Sequence, residues 1–358
     1  MQSTMIRTAK DSRGEASPSL RNSLWAGAGG GVGALLPLFV HSTYVLSVLM
    51  QIEILMCLAL GLNFVVGWAG LLDLGFAAFF AIGSYTTGLL SVDWHWPILA
   101  TIPPALAAAL IGAVFVGVPT LRLRSDYLAV ITLGFGEIIQ NVVNNLNQTG
   151  GPEGIYGIPP LSVGGMSILT TGGYYYVFLV LVTLFAIISW QVRYSRLGRA
   201  WLAIREDEDT AEAMGISTRR YKLYAYMAGA VFGAITGSFY GPALTAIAPP
   251  SFGFSESLLV VMAVSIGGMG SIWGALLGAA AVVGFPELFR GFAQARLLVF
   301  GVALVLIMMA RPQGVWPENG LGLARLAASA RRRIAKALRS EPASPSAARQ
   351  LEEAKGGT

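Results

Sequence analysis

Cations are missing from most of this chain. No Lys or Arg occurs between Arg21 and Arg122, and none again between Arg124 and Arg193. Only 12% of the 358 residues are charged and 54% are apolar, whereas an average soluble domain carries about 25% charged residues. A soluble fold needs charged faces, and these stretches offer none. A membrane β-barrel is excluded as well, because its strands alternate apolar and polar residues, while these segments are apolar on consecutive positions. What remains is an all-α, polytopic helical membrane protein.

Cysteine, histidine and lysine are scarce too. The single Cys57 excludes an intrachain disulfide. His41 and His95, the only histidines, are too far apart for an HExxH pair. None of the four lysines (Lys10, Lys222, Lys336, Lys355) follows a glycine, so a GxxxxGK[ST] phosphate loop is absent. Work against a gradient would therefore draw on ATP bound by another subunit. No cofactor, metal or nucleic acid is expected on this chain.

A bilayer core of about 30 Å takes about 20 apolar helical residues. Spans are read at 24–40, 44–66, 74–92, 97–119, 127–146, 174–192, 223–247, 252–269, 272–289 and 291–310. Cations mark the cytoplasmic side. With the amino terminus inside and ten crossings, 22 of the 24 cations are cytoplasmic, and only Arg290 and Arg296 fall outside. Eight crossings with re-entrant segments satisfy the same charges. Residues 1–23 form an amino-terminal cytoplasmic extension, followed by an uncleaved first span. Residues 24–316 form the transmembrane domain. Residues 317–358 form a basic cytoplasmic tail, read either as an amphipathic helix on anionic lipid or as a disordered segment.

The chain is rich in glycine, with 44. Gly229, Gly233, Gly237 and Gly241 recur every four residues and make one shallow row along a helix, as do Gly270, Gly274 and Gly278. Such rows let helices approach closely in lipid, either within the subunit or at a sliding interface. Breakers also interrupt apolar sequence: residues 67–70 ahead of Asp73, Pro103-Pro104 in the fourth span, and Gly267-Gly268-Met269-Gly270. The last reads as a tight turn between spans or as a re-entrant tip. Non-helical backbone at membrane depth needs protein or a water-filled cavity around it, and transporters build sites from it.

Acids inside apolar sequence need a reason, since a charge at mid-bilayer costs at least about 2.5 kcal/mol. Glu53 is expected to face the bundle interior. Asp73 reads as the cap of a helix beginning at Leu74. Glu137, Asn141, Asn144 and Asn145 share one helical face. That polar stripe suits either a wet interior passing a neutral hydrogen-bonding solute or a helix end surfacing into water. Glu53, Glu137, Asn141 and Asn145 are the candidate pathway residues.

The longest charged segment between spans is 193–222. Its acids Glu206, Asp207, Glu208 and Asp209 are expected at the start of a short helix, where the macrodipole favours them. Glu212, Ala211, Ala213 and Met214 follow on the same helix, and Gly215 ends it in a left-handed cap. Ser217 or Thr218 then caps a helix carrying Arg219, Arg220 and Lys222 to the membrane surface. A solvated loop obeying the cation rule needs neither the acids nor the small helix. A partner would dock onto such a helix.

The segment Gly198-Arg-Ala-Trp-Leu-Ala-Ile-Arg205-Glu-Asp-Glu-Asp209-Thr-Ala-Glu212-Ala-Met-Gly215 resembles the coupling loop of branched-chain amino acid ABC transporter permeases of the LivM type. So do residues 121–139 with Asn144-Asn145-Leu146 and Thr149-Gly-Gly-Pro152, residues 61–72, residues 267–274 and Arg311-Pro-Gln-Gly. The resemblance covers about residues 44–316. It implies a permease subunit in the bacterial inner membrane that imports leucine, isoleucine and valine, or urea or short amides in a related branch. It also implies a second, different permease, two ATP-binding subunits that hydrolyse the ATP, and a periplasmic solute-binding protein. By that resemblance Glu206, Asp207, Glu208, Asp209, Glu212, Ala213 and Gly215 belong to the loop an ATP-binding subunit contacts. An intramembrane enzyme would need nucleophile–base pairs or metal ligands among the spans. A passive channel or structural subunit would need no acidic helix at the cytoplasmic face.

Overall fold

Apolar runs become helices here because lipid leaves backbone polar groups no partner but their own chain. The computed structural model describes residues 42–120, 125–163 and 166–288, with Gly301 and Trp316. The chain divides into Met1–Glu318 and Asn319–Thr358, and every described residue lies in the first unit. The expected spans 24–40 and 291–310, the amino-terminal extension and the basic tail lie outside the described residues, Gly301 excepted.

Helix α1 spans Thr43–Leu62 and widens into a π-helical turn, Asn63–Trp68. Then come α2 (Ala77–Val92), α3 (Ile98–Thr120), α4 (Ser125–Asn145), α5 (Thr171–Tyr194), α6 (Arg196–Glu206) and α7 (Glu208–Ala213). They are followed by α8 (Thr218–Leu244), α9 (Phe254–Gly267) and α10 (Ile272–Leu288). Among the described residues strand structure is confined to two short antiparallel pairs. Strand β1 (Ile155–Tyr156) pairs with β4 (Ala246–Ile247), and β2 (Ser162–Val163) pairs with β3 (Met166–Ser167). The chain is an all-α, multi-pass membrane protein.

Among the described residues four stretches are long and apolar enough to cross a bilayer: Thr43–Trp68, Ile98–Pro119, Thr171–Tyr194 and Pro249–Gly267. Ala77–Val92 and Ile272–Glu287 are apolar but shorter. Helix α8 falls outside that set because glycine and hydroxyl residues dilute it. It can carry them, since it packs along α1, α2 and α3 inside the protein. The glycine row lines that packing. A Cβ at Gly229 would lie 3.1 Å from Val65, and one at Gly233 3.0 Å from the Phe79 Cβ. A Cβ at Gly237 would lie 2.3 Å from the Phe80 carbonyl, and one at Gly241 3.1 Å from Ile158. The Ser84 hydroxyl donates to the Gly237 carbonyl at 3.0 Å where α2 and α8 touch.

Three local expectations are corrected. Pro103 and Pro104 do not interrupt α3, which runs through them. They sit near its start, and the carbonyls they leave without intrahelical donors belong to Leu99 and Ala100, on exposed residues. Helix α2 begins at Ala77, not at Leu74. Asp73, fully buried, accepts the Gly75 N–H at 2.9 Å in a turn that leads into the helix. The extended backbone there is held from outside: the Leu74 N–H donates to the Thr132 hydroxyl at 3.1 Å and the Ala77 N–H to the Ser257 hydroxyl at 3.0 Å. The third concerns the charged loop and is described below. The run at 267–270 forms a tight turn joining α9 and α10, with Gly268 and Gly270 at φ +120° and +86°.

Candidate functional site

The segment after α5 is built from local signals. Ser195 is extended and its hydroxyl accepts from the Leu197 and Gly198 N–H groups at 3.2 and 3.4 Å, starting α6. Gly198, Ala200, Trp201 and Ile204 form the buried face of this amphipathic helix. Trp201 is fully buried, donates from its indole nitrogen to the Tyr221 carbonyl at 2.7 Å, and stacks on Trp68 with ring centres 6.3 Å apart.

The acids divide between two helices, correcting the expectation of one. Glu206 ends α6. Asp207 turns to extended backbone and caps α7, accepting the Thr210 N–H at 2.9 Å. That hydrogen bond holds the Asp207 carboxyl below the usual carboxylate range. Glu208 and Asp209 then occupy the first turn of α7. The helix ends as expected at Gly215, with φ +86°; the Gly215 N–H reaches Glu212 at 2.9 Å and the Ile216 N–H reaches Ala211 at 3.1 Å. Ser217 stands at the start of α8 but makes no side-chain cap.

Two residues of this segment sit differently from their sequence reading. Ala211 is buried rather than exposed on the docking helix. Lys222 does not reach the surface: its side chain is 7% exposed and its Nζ meets Glu208 Oε1 at 2.5 Å, tying α7 to α8. Glu206, Asp207, Glu208, Asp209, Glu212, Ala213 and Gly215 are all exposed, and Met214 is 80% exposed.

Behind α6 the ends of several helices converge. The Arg205 guanidinium donates to the Gly67 carbonyl in the π-helical turn. Arg193, in the last turn of α5, donates to the Gly270 carbonyl at 2.8 Å, which also accepts from the Trp68 indole at 2.8 Å. The Asn63 side-chain oxygen accepts the Gly270 N–H at 2.9 Å, and the Trp316 N–H donates to the Gly267 carbonyl at 2.8 Å. Sequence reasoning missed these links. Their one visible signal is an arginine at a span end opposite two runs of helix breakers.

The candidate pathway residues separate into two environments. Glu53 is 5% exposed and enclosed beside Cys57 and Tyr175. On α4, Asn141 and Asn145 are exposed and Glu137 is half-buried. The Asn141 and Asn145 amides donate to the carbonyls of Glu137 and Asn141, both at 2.8 Å. Gln140 reaches across to the Pro249 carbonyl at 3.3 Å. Beside the stripe, α3 and α4 form an open apolar groove of about 640 Å³ lined by Val114, Phe115, Val118, Ile131, Phe135 and Ile138. Among the described residues no cluster of three His, Cys, Asp or Glu could hold a metal ion.

A family model described as branched-chain amino acid transport system / permease component matches residues 44–310. The high-affinity branched-chain amino acid transport system permease protein LivM of Escherichia coli (strain K12) is 39% identical over 284 residues, covering 73% of this chain and 67% of that protein. LivM of Salmonella typhimurium is 38% identical over the same shares. LivH of Salmonella typhimurium is 26% identical over 289 residues, 72% of this chain and 89% of that protein. No solved structure matches the chain. With the helix bundle, its charged segment and this extent of match taken together, the chain belongs to the branched-chain amino acid transport permease family, a family of membrane transport subunits and not of enzymes.

Proposed function

We propose that this chain is one permease of an importer for leucine, isoleucine and valine in the bacterial inner membrane, with a second, different permease beside it. Two separate subunits bind and hydrolyse ATP, and a periplasmic protein delivers the solute. This chain has no ATP site of its own. The relatives' names support the substrate class, and the motor is argued from the charged segment. The carrying observation is the outer face of α6–α7. Glu206, Asp207, Asp209, Glu212 and an 80%-exposed Met214 are open to solvent, while Trp201, Ile204, Ala211 and the Glu208–Lys222 pair fasten the same segment to the bundle. A rigid, well-anchored helix pair with an apolar tip ringed by acids suits a partner's pocket rimmed by cations.

ATP-driven closure of the partner subunits would then move α6–α7, and rigid-body motion of the spans would open the path inward. The α4 stripe of Glu137, Asn141 and Asn145 lines that path in this reading. The stripe is outward-facing on this chain, so a second permease can complete it. In this reading Glu53, 5% exposed inside the bundle, is left off the path.

The test is reconstitution. ATP-binding subunits should co-purify with the chain, and deleting residues 206–215 should abolish ATP-dependent leucine uptake into vesicles. Uptake unchanged by that deletion would refute the docking role. Competition by unlabelled leucine, urea and short amides reads the substrate: displacement by urea or amides alone would overturn the branched-chain assignment.

A further inference from the structure

The spans flanking the charged segment, α5 and α8, are the obvious levers for a partner bound to α6–α7. The hydrogen bonds behind α6 lead elsewhere. Helix α1 does not stop cleanly but widens at Asn63–Trp68, and a wide turn leaves carbonyls short of helical donors. Helix α9 stops at Gly267, and the turn that follows is held in left-handed backbone by Gly268 and Gly270. Each break exposes a carbonyl, and each receives an arginine from the charged segment: Gly67 from Arg205, Gly270 from Arg193.

The two breaks are themselves joined. Asn63 and Trp68 bond the backbone N–H and C=O of the same Gly270. A Cβ at Gly67 would lie 2.7 Å from the Gly270 nitrogen, so glycine there allows the approach. From the α6 side, Trp201 stacks on Trp68 and meets Phe64 edge-on at 5.9 Å. The Arg205 stem would lie 3.0 Å from a Cβ at Gly70.

The plain alternative for both arginines is that they satisfy the end of a neighbouring helix and obey the cytoplasmic cation rule. Arg199 does that, donating to the Tyr194 carbonyl at the end of α5 at 2.7 Å. Arg193 and Arg205 bond instead to elements 77 and 138 residues away. Guanidinium suits the task because it stays charged and carries several donors in a rigid fork, giving the stronger charge-assisted kind of hydrogen bond.

We infer that Arg193 and Arg205 are positioning residues that carry motion of the docked segment directly into the broken end of α1 and the α9–α10 turn, making these a third and fourth lever of transport. The inference rests on α6–α7 being the ATPase-facing segment. It adds that coupling runs through backbone carbonyls at helix breaks, not only along the covalent chain into α5 and α8.

The test uses the whole complex in vesicles, with both permeases, the ATP-binding subunits and the binding protein, reading leucine imported and ATP hydrolysed in the same sample. In Arg205→Ala and Arg193→Ala, ATP hydrolysis should persist while leucine moved per ATP falls about tenfold, the scale of losing one charge-assisted hydrogen bond from the joint. Arg205→Lys, which keeps a charge and a donor, should recover part of the ratio. If an alanine variant fails to assemble, Arg205→Gln and Arg205→Lys decide on the assembled fraction, with Gln expected below Lys. A wild-type ratio in Arg205→Ala or Arg205→Gln would overturn the inference while leaving the docking reading intact. Failure of the wild-type chain to bind ATP-binding subunits would overturn the docking reading and this inference with it.

Discussion

Asp207 shows how one side chain shapes the α6–α7 segment. Its carboxylate caps α7 through the Thr210 N–H, and that bond lowers its pKa in the folded chain. A carboxyl lowered on folding stabilises above its unfolded pKa, and the contribution is lost as pH falls through the lowered folded value. Hydrogen exchange of the 207–215 peptide should therefore lose protection only at acid pH. Asp207→Asn, still able to cap, should lack that pH step, and Asp207→Ala should be unprotected throughout. A pH step persisting in Asp207→Asn would point to a different titrating group. Lys222 and Glu208 make the other residue-scale device. Lys222 is nearly buried but Glu208 is half exposed, so water screens the pair and Glu208→Ala should cost about 1–2 kcal/mol, below the loss for a fully buried pair. Thermal unfolding of the detergent-solubilised protein, in a double-mutant cycle with Lys222→Ala, measures it. A coupling energy of zero would mean that the contact contributes nothing to stability.

At the scale of elements, close approach of helices is what the glycines allow. Gly237 has the Phe80 carbonyl 2.3 Å from where a Cβ would go, while Gly134 on α4 has nothing within 4 Å. Gly237→Ala should thus destabilise by about 1–3 kcal/mol through overpacking. Gly134→Ala should be neutral or stabilise by up to about 1 kcal/mol, since only helix propensity changes. Equal melting shifts for the two would contradict the packing described. The spans α1, α3 and α5 are legible in the sequence because long apolar runs admit one solution in lipid. The Gly215 helix end is legible because backbone chemistry there is local. The continuity of α3 through Pro103 and Pro104 was not, since proline breaks a helix only where the donors it lacks cannot be dispensed with. The division of the acids between α6 and α7 turns on one residue, Asp207, adopting extended backbone. The burial of Lys222 and the arginine bonds to Gly67 and Gly270 were illegible because each depends on a fold that brings distant residues together.

For the whole molecule, orientation and coupling are one question. The cation rule predicts that residues 193–222 are cytoplasmic, and contacts gather the end of α1 and the α9–α10 turn behind α6 of that segment. The amide stripe of α4 and the groove beside it are open on this chain, and the proposed function assigns them to one half of a shared pathway. Uptake by Asn141→Leu in the assembled complex should fall while ATP-binding subunits still co-purify. Normal uptake by that variant would remove the stripe from the path.

The claim beneath all of this is that α6–α7 faces the cell interior and meets the ATP-binding subunits. Since Cys57 is the only native thiol and is buried, a Cys57→Ser chain carrying Met214→Cys offers a single reporter at the exposed tip. A membrane-impermeant maleimide should label it in inside-out vesicles stripped of the ATP-binding subunits, leave it unlabelled in intact cells, and lose access when those subunits are added back. Labelling in intact cells, or labelling unchanged by the added subunits, would contradict it.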